Sequence, residues 1–232
     1  MTSNLLTRPL FITLEGGEGA GKGIQKYKLA AFIQDNDNNI FGNKYSDYIM
    51  SREPTNYSEA GRTFNFKLAN KIPMTVEEQT NYVIKDRFEH KKDIIEEIKK
   101  GKFYICDRFF DSTGAYQVLQ GIDWKTVYDQ HKFHQEQGMI IPDITIYIGV
   151  SGKTSLERTK DRKVKDAFDN DVNLINNLDD AYRFWFDKTA GLLPQRKLIM
   201  VNGEQSIEDV TREMFSKLRE TIQNNYDFFK PK

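Results

Sequence analysis

One cysteine, Cys106, stands among 232 residues, so no intramolecular disulfide can form and a secreted disulfide framework is excluded. A reducing cytoplasm is the expected setting. Net charge is also missing: 34 Lys and Arg balance 34 Asp and Glu. A broad, strongly basic nucleic-acid surface is therefore excluded, no nucleic-acid partner is expected, and any basic site must be local. The longest apolar runs, such as Ile144 to Val150, fall far short of the roughly 20 residues of a membrane span. No membrane partner is expected. Met1 to Pro9 is polar with one arginine and lacks the apolar stretch of a signal peptide, so export is not expected. With only 6 Pro and 15 Gly, the composition is neither collagen-like nor low in complexity. The three histidines, His90, His131 and His134, make no metal-ligand cluster with a cysteine and receive no role.

What is present is an alternation of two patterns. Short runs rich in β-branched and aromatic residues recur at Leu10 to Leu14, Tyr48 to Ser51, Phe103 to Cys106, Ile144 to Val150 and Leu198 to Val201. Between them lie stretches with helical spacing, such as Gln25, Leu29, Phe32 and Ile33, then Val83, Ile84, Phe88, Ile94, Ile95 and Ile98. Strand followed by helix, repeated, predicts βαβ units: an α/β domain of three layers, with a five-stranded parallel sheet and helices on both faces. One domain is expected over residues 1–232. The polar stretch Asp161 to Asn173 reads as a mobile flap, and the lid segment is expected at about 158–173. In such sheets ligands bind beyond the carboxyl ends of the strands, so the residues just after each strand are the candidates for chemistry.

The first strand runs into Gly16-Gly17-Glu18-Gly19-Ala20-Gly21-Lys22-Gly23, and a helical pattern opens at Ile24. Gly16, Gly21 and Lys22 satisfy the G-x-x-x-x-G-K spacing. Glycines there let backbone N–H groups wrap a polyphosphate, the helix N-terminus adds partial positive charge, and Lys22 reaches the β- and γ-phosphates. The motif wants Ser or Thr after the lysine, because that hydroxyl coordinates the magnesium that accompanies the phosphates. Here the position holds Gly23. The metal is then expected to be held through water or by a carboxylate elsewhere.

The other strand ends supply arginines and a carboxylate. Ser51-Arg52-Glu53-Pro54 follows the second strand; Pro54 biases Glu53 to an extended conformation, which holds Arg52 at the sheet edge, ready for a phosphate or for an ion pair with Glu53. Asp107-Arg108 follows the third, where Asp107 suits magnesium or an attacking oxygen and Arg108 suits a transferring phosphate, with a structural ion pair as the alternative. Arg87, amid Tyr82, Val83 and Phe88, and the segment Ser112 to Gln117 mix aromatic walls with edge donors, as a base pocket or a polar core would. Arg158 and Arg162 lie four apart on a helix leading into the flap, so both point one way. They are candidate in-chain arginine fingers or a solvated basic face.

Taken together, Phe11 to Lys22, Ser51 to Pro54, Asp107 to Gln117 and Pro142 to Ile148 resemble the thymidylate kinase family, in order and with similar gaps. The acid inside the phosphate loop, with arginines in the later flap, is similar to its bacterial subtype. The resemblance implies a P-loop NTPase fold, ATP and magnesium as cofactors, and phosphorylation of dTMP to the diphosphate by a cytoplasmic homodimer. It implies an ATP site at Gly16, Gly17, Gly19, Ala20, Gly21, Lys22, Gly23 and Ile24, with Lys22, Asp107, Arg108, Arg158 and Arg162 in the catalytic group and Asp107 beside the metal. Glu18 then lies near the sugar 3′-hydroxyl, Arg52 and Arg108 hold the acceptor phosphate, and Arg87 reads the thymine O4 edge. Thr113 and Gln117 lie nearby along the base edge, Ser112 belongs to the acceptor site, and Tyr116 crowds the ribose 2′ position. The sequence departs from the family at Gly23-Ile24, where two hydroxyl residues are usual, and at Val83, where a phenylalanine usually stacks on the base. Two alternatives follow: a nucleotide-binding module without turnover, and the same kinase acting on dUMP or a modified thymidylate.

Overall fold

A computed structural model describes residues 8–35, 46–162, 168 and 171–225. Five strands pair in one sheet: β1 (Phe11–Glu15), β2 (Tyr48–Arg52), β3 (Phe103–Asp107), β4 (Ile144–Gly149) and β5 (Lys197–Asn202). Their order is β2-β3-β1-β4-β5 and every pairing is parallel, as the strand–helix alternation predicts. Eight helices are seen among the described residues: α1 (Lys22–Gln34), α2 (Glu59–Ala69), α3 (Val76–Lys99), α4 (Phe110–Leu119), α5 (Trp124–Glu136), α6 (Gly152–Thr159), α7 (Val172–Thr189) and α8 (Ile207–Asn224).

The period of two along a strand decides which layer each side chain joins. Leu10, Ile12 and Leu14 point to the face covered by α1 and α8, where they pack with Leu29, Met214 and Leu218. Phe11 points to the other face, edge-on to Tyr104 and Phe109, where α3, α4, α5 and α7 close the second core around Trp185 and Tyr182. The central strand β1 is buried along its whole length, whereas the edge strand β2 is only half-buried.

Local signals set the element ends that matter for the site. Thr75 and Glu78 form a reciprocal capping box at the start of α3, which satisfies two backbone donors that the first turn would otherwise leave open. The apolar face of α3 is interrupted by Asp86, Arg87 and His90, all buried. Polar groups taken out of water at that depth need partners, and theirs lie in the loop that follows β2. Of the lid expected at about 158–173, residues 163–167, 169 and 170 lie outside the described residues. Among the described residues no helix is long and apolar enough to cross a membrane.

Candidate active site

The loop between β1 and α1 lies where a polyphosphate loop should. Gly16 has φ +144°, and a Cβ there would come within 2.4 Å of the Ile148 carbonyl oxygen, so only glycine lets β1 turn this closely past β4. Lys22 is buried, and its Nζ donates to the Gly16 and Gly17 carbonyls at 2.9 and 2.7 Å. Burial, aided by the nearby Arg108 guanidinium, pushes the Lys22 ammonium down to about 8 against the pull of Asp107, Glu18 and Glu15. A cleft of about 840 Å³ opens beside the loop, lined by Gly19, Ala20, Gly21, Lys22, Gly23 and Ile24, and by Arg52, Asp107, Arg108, Arg158 and Arg162. Gly16 and Gly17 do not line it; their carbonyls hold Lys22.

Asp107 ends β3, directly opposite Arg52 in the register, and its Oδ1 is buried without a hydrogen-bond partner. Arg108 follows in the left-handed region at φ 68°, a conformation that costs a residue with a Cβ on the order of 1 kcal/mol or more. Its surroundings hold it there. Its N–H donates to Leu14 O at 2.9 Å, and its Nη1 donates to Gly16 O at 3.0 Å and to the Tyr182 hydroxyl at 3.3 Å. The next N–H, of Phe109, donates to the Glu15 carboxylate at 2.7 Å. Burial, with Asp111 nearby, raises Glu15 to about 7 against its bonds from Ser112 and Phe109 and the charge of Arg108. Glu15 and Tyr182 were not singled out in the sequence, since a buried carboxylate in an apolar strand announces itself only when its partners are known.

Glu18 accepts from Arg108 Nη2, and from Arg162 Nη1 at 2.7 Å. Burial works to raise this carboxyl, yet Arg108, Lys22 and Arg162 together outweigh it and hold the group well below the usual carboxylate range. Arg108 therefore pairs with Glu18 rather than with its neighbour Asp107. The i,i+4 geometry expected for Arg158 and Arg162 is not what the chain adopts. Helix α6 ends at Thr159, and Arg162 sits beyond it in a turn whose N–H bonds the Thr159 carbonyl at 3.1 Å. Both side chains still converge on the loop: Arg158 Nη1 donates to Gly19 O at 3.2 Å and to Gly203 O at 2.9 Å. Gly203, Gln205, Ser206 and Ile207, after β5, complete the cleft; no sequence motif marks them.

A second pocket adjoins the first. All nine residues expected to bind an acceptor line it: Glu18, Arg52, Val83, Arg87, Arg108, Ser112, Thr113, Tyr116 and Gln117. Phe64, Asn65 and Leu68 of α2, with Gln79, Phe109 and Phe168, supply walls that the sequence reading did not name. Val83 faces this pocket, whereas Tyr82 turns away to sit under Lys67, whose Nζ is 5.3 Å from the ring centroid. Glu53 does not pair with Arg52. Its side chain turns inward to accept from Arg87 Nε at 2.7 Å and lies 2.6 Å from Nη2, while Arg52 stays exposed. Arg87 also donates from Nη2 to Thr113 Oγ1 at 3.1 Å and stacks over the Phe109 ring at 4.7 Å. Glu53 thus serves Arg87 and not the sheet-edge Arg52.

For magnesium the donor set is small. Among the described residues no group of three or more His, Cys, Asp and Glu could hold a metal. The unpartnered Asp107 Oδ1 is the available carboxylate oxygen, since Glu18 is committed to arginines. That suits a hard cation held by one carboxylate, water and the substrate's own phosphates.

A strand–loop–helix phosphate cradle, a buried lysine, converging arginines and an adjoining pocket with an apolar wall define a P-loop phosphotransferase on a three-layer α/β scaffold. The chain belongs to the thymidylate kinase family, whose profile matches residues 14–214. It is 28% identical over 227 residues to a probable thymidylate kinase of Thermococcus gammatolerans, covering 92% of this chain and 97% of the relative. A thymidylate kinase of Rickettsia canadensis is 33% identical over 187 residues, covering 78% and 84%. That of Wolbachia pipientis wMel is 35% identical over 175 residues, covering 73% and 81%.

Proposed function

We propose that this chain transfers the γ-phosphoryl group of ATP to the 5′-phosphate of dTMP and releases the two diphosphates. The observation that carries the reading is that the phosphate cleft and the adjoining pocket share Glu18, Arg52 and Arg108. Two anionic substrates entering from opposite sides meet at those arginines. Lys22 leaves its two carbonyls for the β- and γ-phosphates, and Arg108 and Arg52 hold the acceptor phosphate. Arg158 and Arg162 spread positive charge over the transferring group from the flap side, and the lid at about 158–173 excludes water. Arg87, Thr113 and Gln117 read the base edge, Ser112 supports Arg108, and Tyr116 limits the sugar. Positioning and charge neutralisation suffice for this chemistry, and no covalent intermediate is needed. Asp107, with its unpartnered Oδ1, would hold magnesium, which would supply further neutralisation at the phosphates. The single buried thiol suits a cytoplasmic setting, and the homodimer implied by the resemblance belongs to the same reading, checked by light scattering on the purified chain.

A coupled assay of ADP release with ATP, magnesium and each of dTMP, dUMP, TMP and dCMP tests the proposal, with Asp107→Ala as the blank. Turnover with dTMP that the blank abolishes is the expected result. ATP binding without turnover on any acceptor overturns it, and preferred turnover of dUMP reassigns the acceptor.

A further inference from the structure

We propose that His90 is a positioning residue for the acceptor: it holds Glu53, and Glu53 holds Arg87 in the orientation that faces the base. The inference rests on the reading of Arg87 as an acceptor-binding residue. His90 itself does not line the acceptor pocket, whereas Glu53 and Arg87 both do.

The geometry leaves His90 little freedom. Its Nδ1 lies 3.0 Å from the Asp86 carbonyl oxygen; an oxygen of that kind only accepts, so Nδ1 carries a proton. The other ring nitrogen, Nε2, is 3.3 Å from Glu53 Oε1, within ion-pair distance, and both atoms are buried with no hydrogen-bond partner. Among the described residues no other polar group bonds either atom, so the imidazole edge is what the buried carboxyl oxygen faces. Burial favours the uncharged acid at Glu53, against the pull of Arg87 and His90.

Asp86 closes the arrangement from the other side. Its carboxylate accepts from the Thr55 N–H at 2.7 Å, from the Thr55 hydroxyl and from the Ser58 hydroxyl at 2.6 Å. The loop that carries Glu53 is thereby fastened to the α3 turn that carries Arg87. Glu53 accepts Arg87 through Oε2 alone, leaving Oε1 to His90. Without His90, Oε1 is a buried oxygen with nothing to face, and the carboxyl group loses the contact that fixes its rotation. Arg87 Nη1, buried and without a partner, is the guanidinium corner that such a rotation moves.

Steady-state kinetics on the full chain tests this, with unfolding monitored in parallel. His90→Leu is expected to raise the KM for dTMP by about tenfold, leaving kcat and the KM for ATP within about twofold, the signature of lost uniform binding. His90→Gln, whose amide N–H stands close to the imidazole Nε2, is expected to restore most of the dTMP affinity and keeps the test informative if His90→Leu fails to fold. Adding His90→Leu to Glu53→Gln is expected to cost nothing further, because residues acting through one another are not additive. A His90→Gln variant that folds but binds dTMP as weakly as His90→Leu overturns the inference, as do additive effects or losses spread equally over kcat and both KM values. Arg87→Ala distinguishes the underlying reading. If it raises the dTMP KM while His90→Leu does not, only the inference fails, and if it leaves that KM unchanged, both fail.

Discussion

Arg162 reaches across the mouth of the phosphate cleft to bond Glu18 at 2.7 Å, on the same carboxylate that accepts from Arg108. One acid of the P-loop thus holds an arginine from the flap side and one from the end of β3. Glu18→Gln removes that counter-charge and is expected to tighten binding of ATP several-fold while lowering turnover, since the arginines lose their fixed directions. The stability has a sign as well. The folded carboxyl lies below its unfolded value, so its contribution is present above about pH 4.3 and is lost as pH falls below it. Thermal unfolding as a function of pH checks this: the wild type loses stability more steeply than Glu18→Gln as the medium is acidified.

Lys22 offers a test that needs no mutation. Its folded pKa of about 8 lies below the unfolded value of 10.5, so the cost of burying the ammonium is fully present below about pH 8 and is relieved as pH rises toward the unfolded value. A polyphosphate favours the charged form, so ATP binding between about pH 8 and 9 is expected to take up protons. Calorimetry in buffers of different ionisation enthalpy measures that uptake directly. Lys22→Met is expected to abolish it and to lower turnover by about a hundredfold or more.

Gly23 stands where a hydroxyl is expected to meet magnesium, and a Cβ built there meets nothing within 4 Å. Gly23→Ser is therefore expected to fit without strain and, being inside α1, to gain a few tenths of a kcal/mol of helix stability. Its expected functional effect is a several-fold lower magnesium concentration for half-maximal rate. Rates measured against magnesium at saturating ATP decide it; an unchanged dependence means that Asp107 and the phosphates already complete the metal site.

Gly114 is a packing constraint rather than a turn. A Cβ at this position in α4 would lie 2.2 Å from the Trp185 ring, and the indole N–H is pinned at 2.8 Å to Asp111, so the ring has no room to retreat. Gly114→Ala is expected to cost about 1–3 kcal/mol despite alanine's better helix propensity. Urea unfolding should show a lower midpoint with an unchanged slope.

The layer order, the parallel sheet and the phosphate loop were legible in the chain because each depends on near neighbours. Alternation places Ile12 and Leu14 on one face and Phe11 on the other, and Gly16, Gly21 and Lys22 carry their spacing wherever a strand delivers them to a helix. The proposed acceptor residues Arg87, Thr113 and Gln117 were legible through resemblance, and they line one pocket. Which acid meets which base was decided only in three dimensions. Glu53 follows Arg52 in sequence, yet it turns inward to Arg87, 34 residues away, because its side chain is buried and a buried carboxylate takes the partner that shares its depth. Glu15, Tyr182, His90 and Gly203 carry no local signal for the same reason. Their roles consist of contacts between distant segments, and only the closed sheet with its two helical layers brings those segments together.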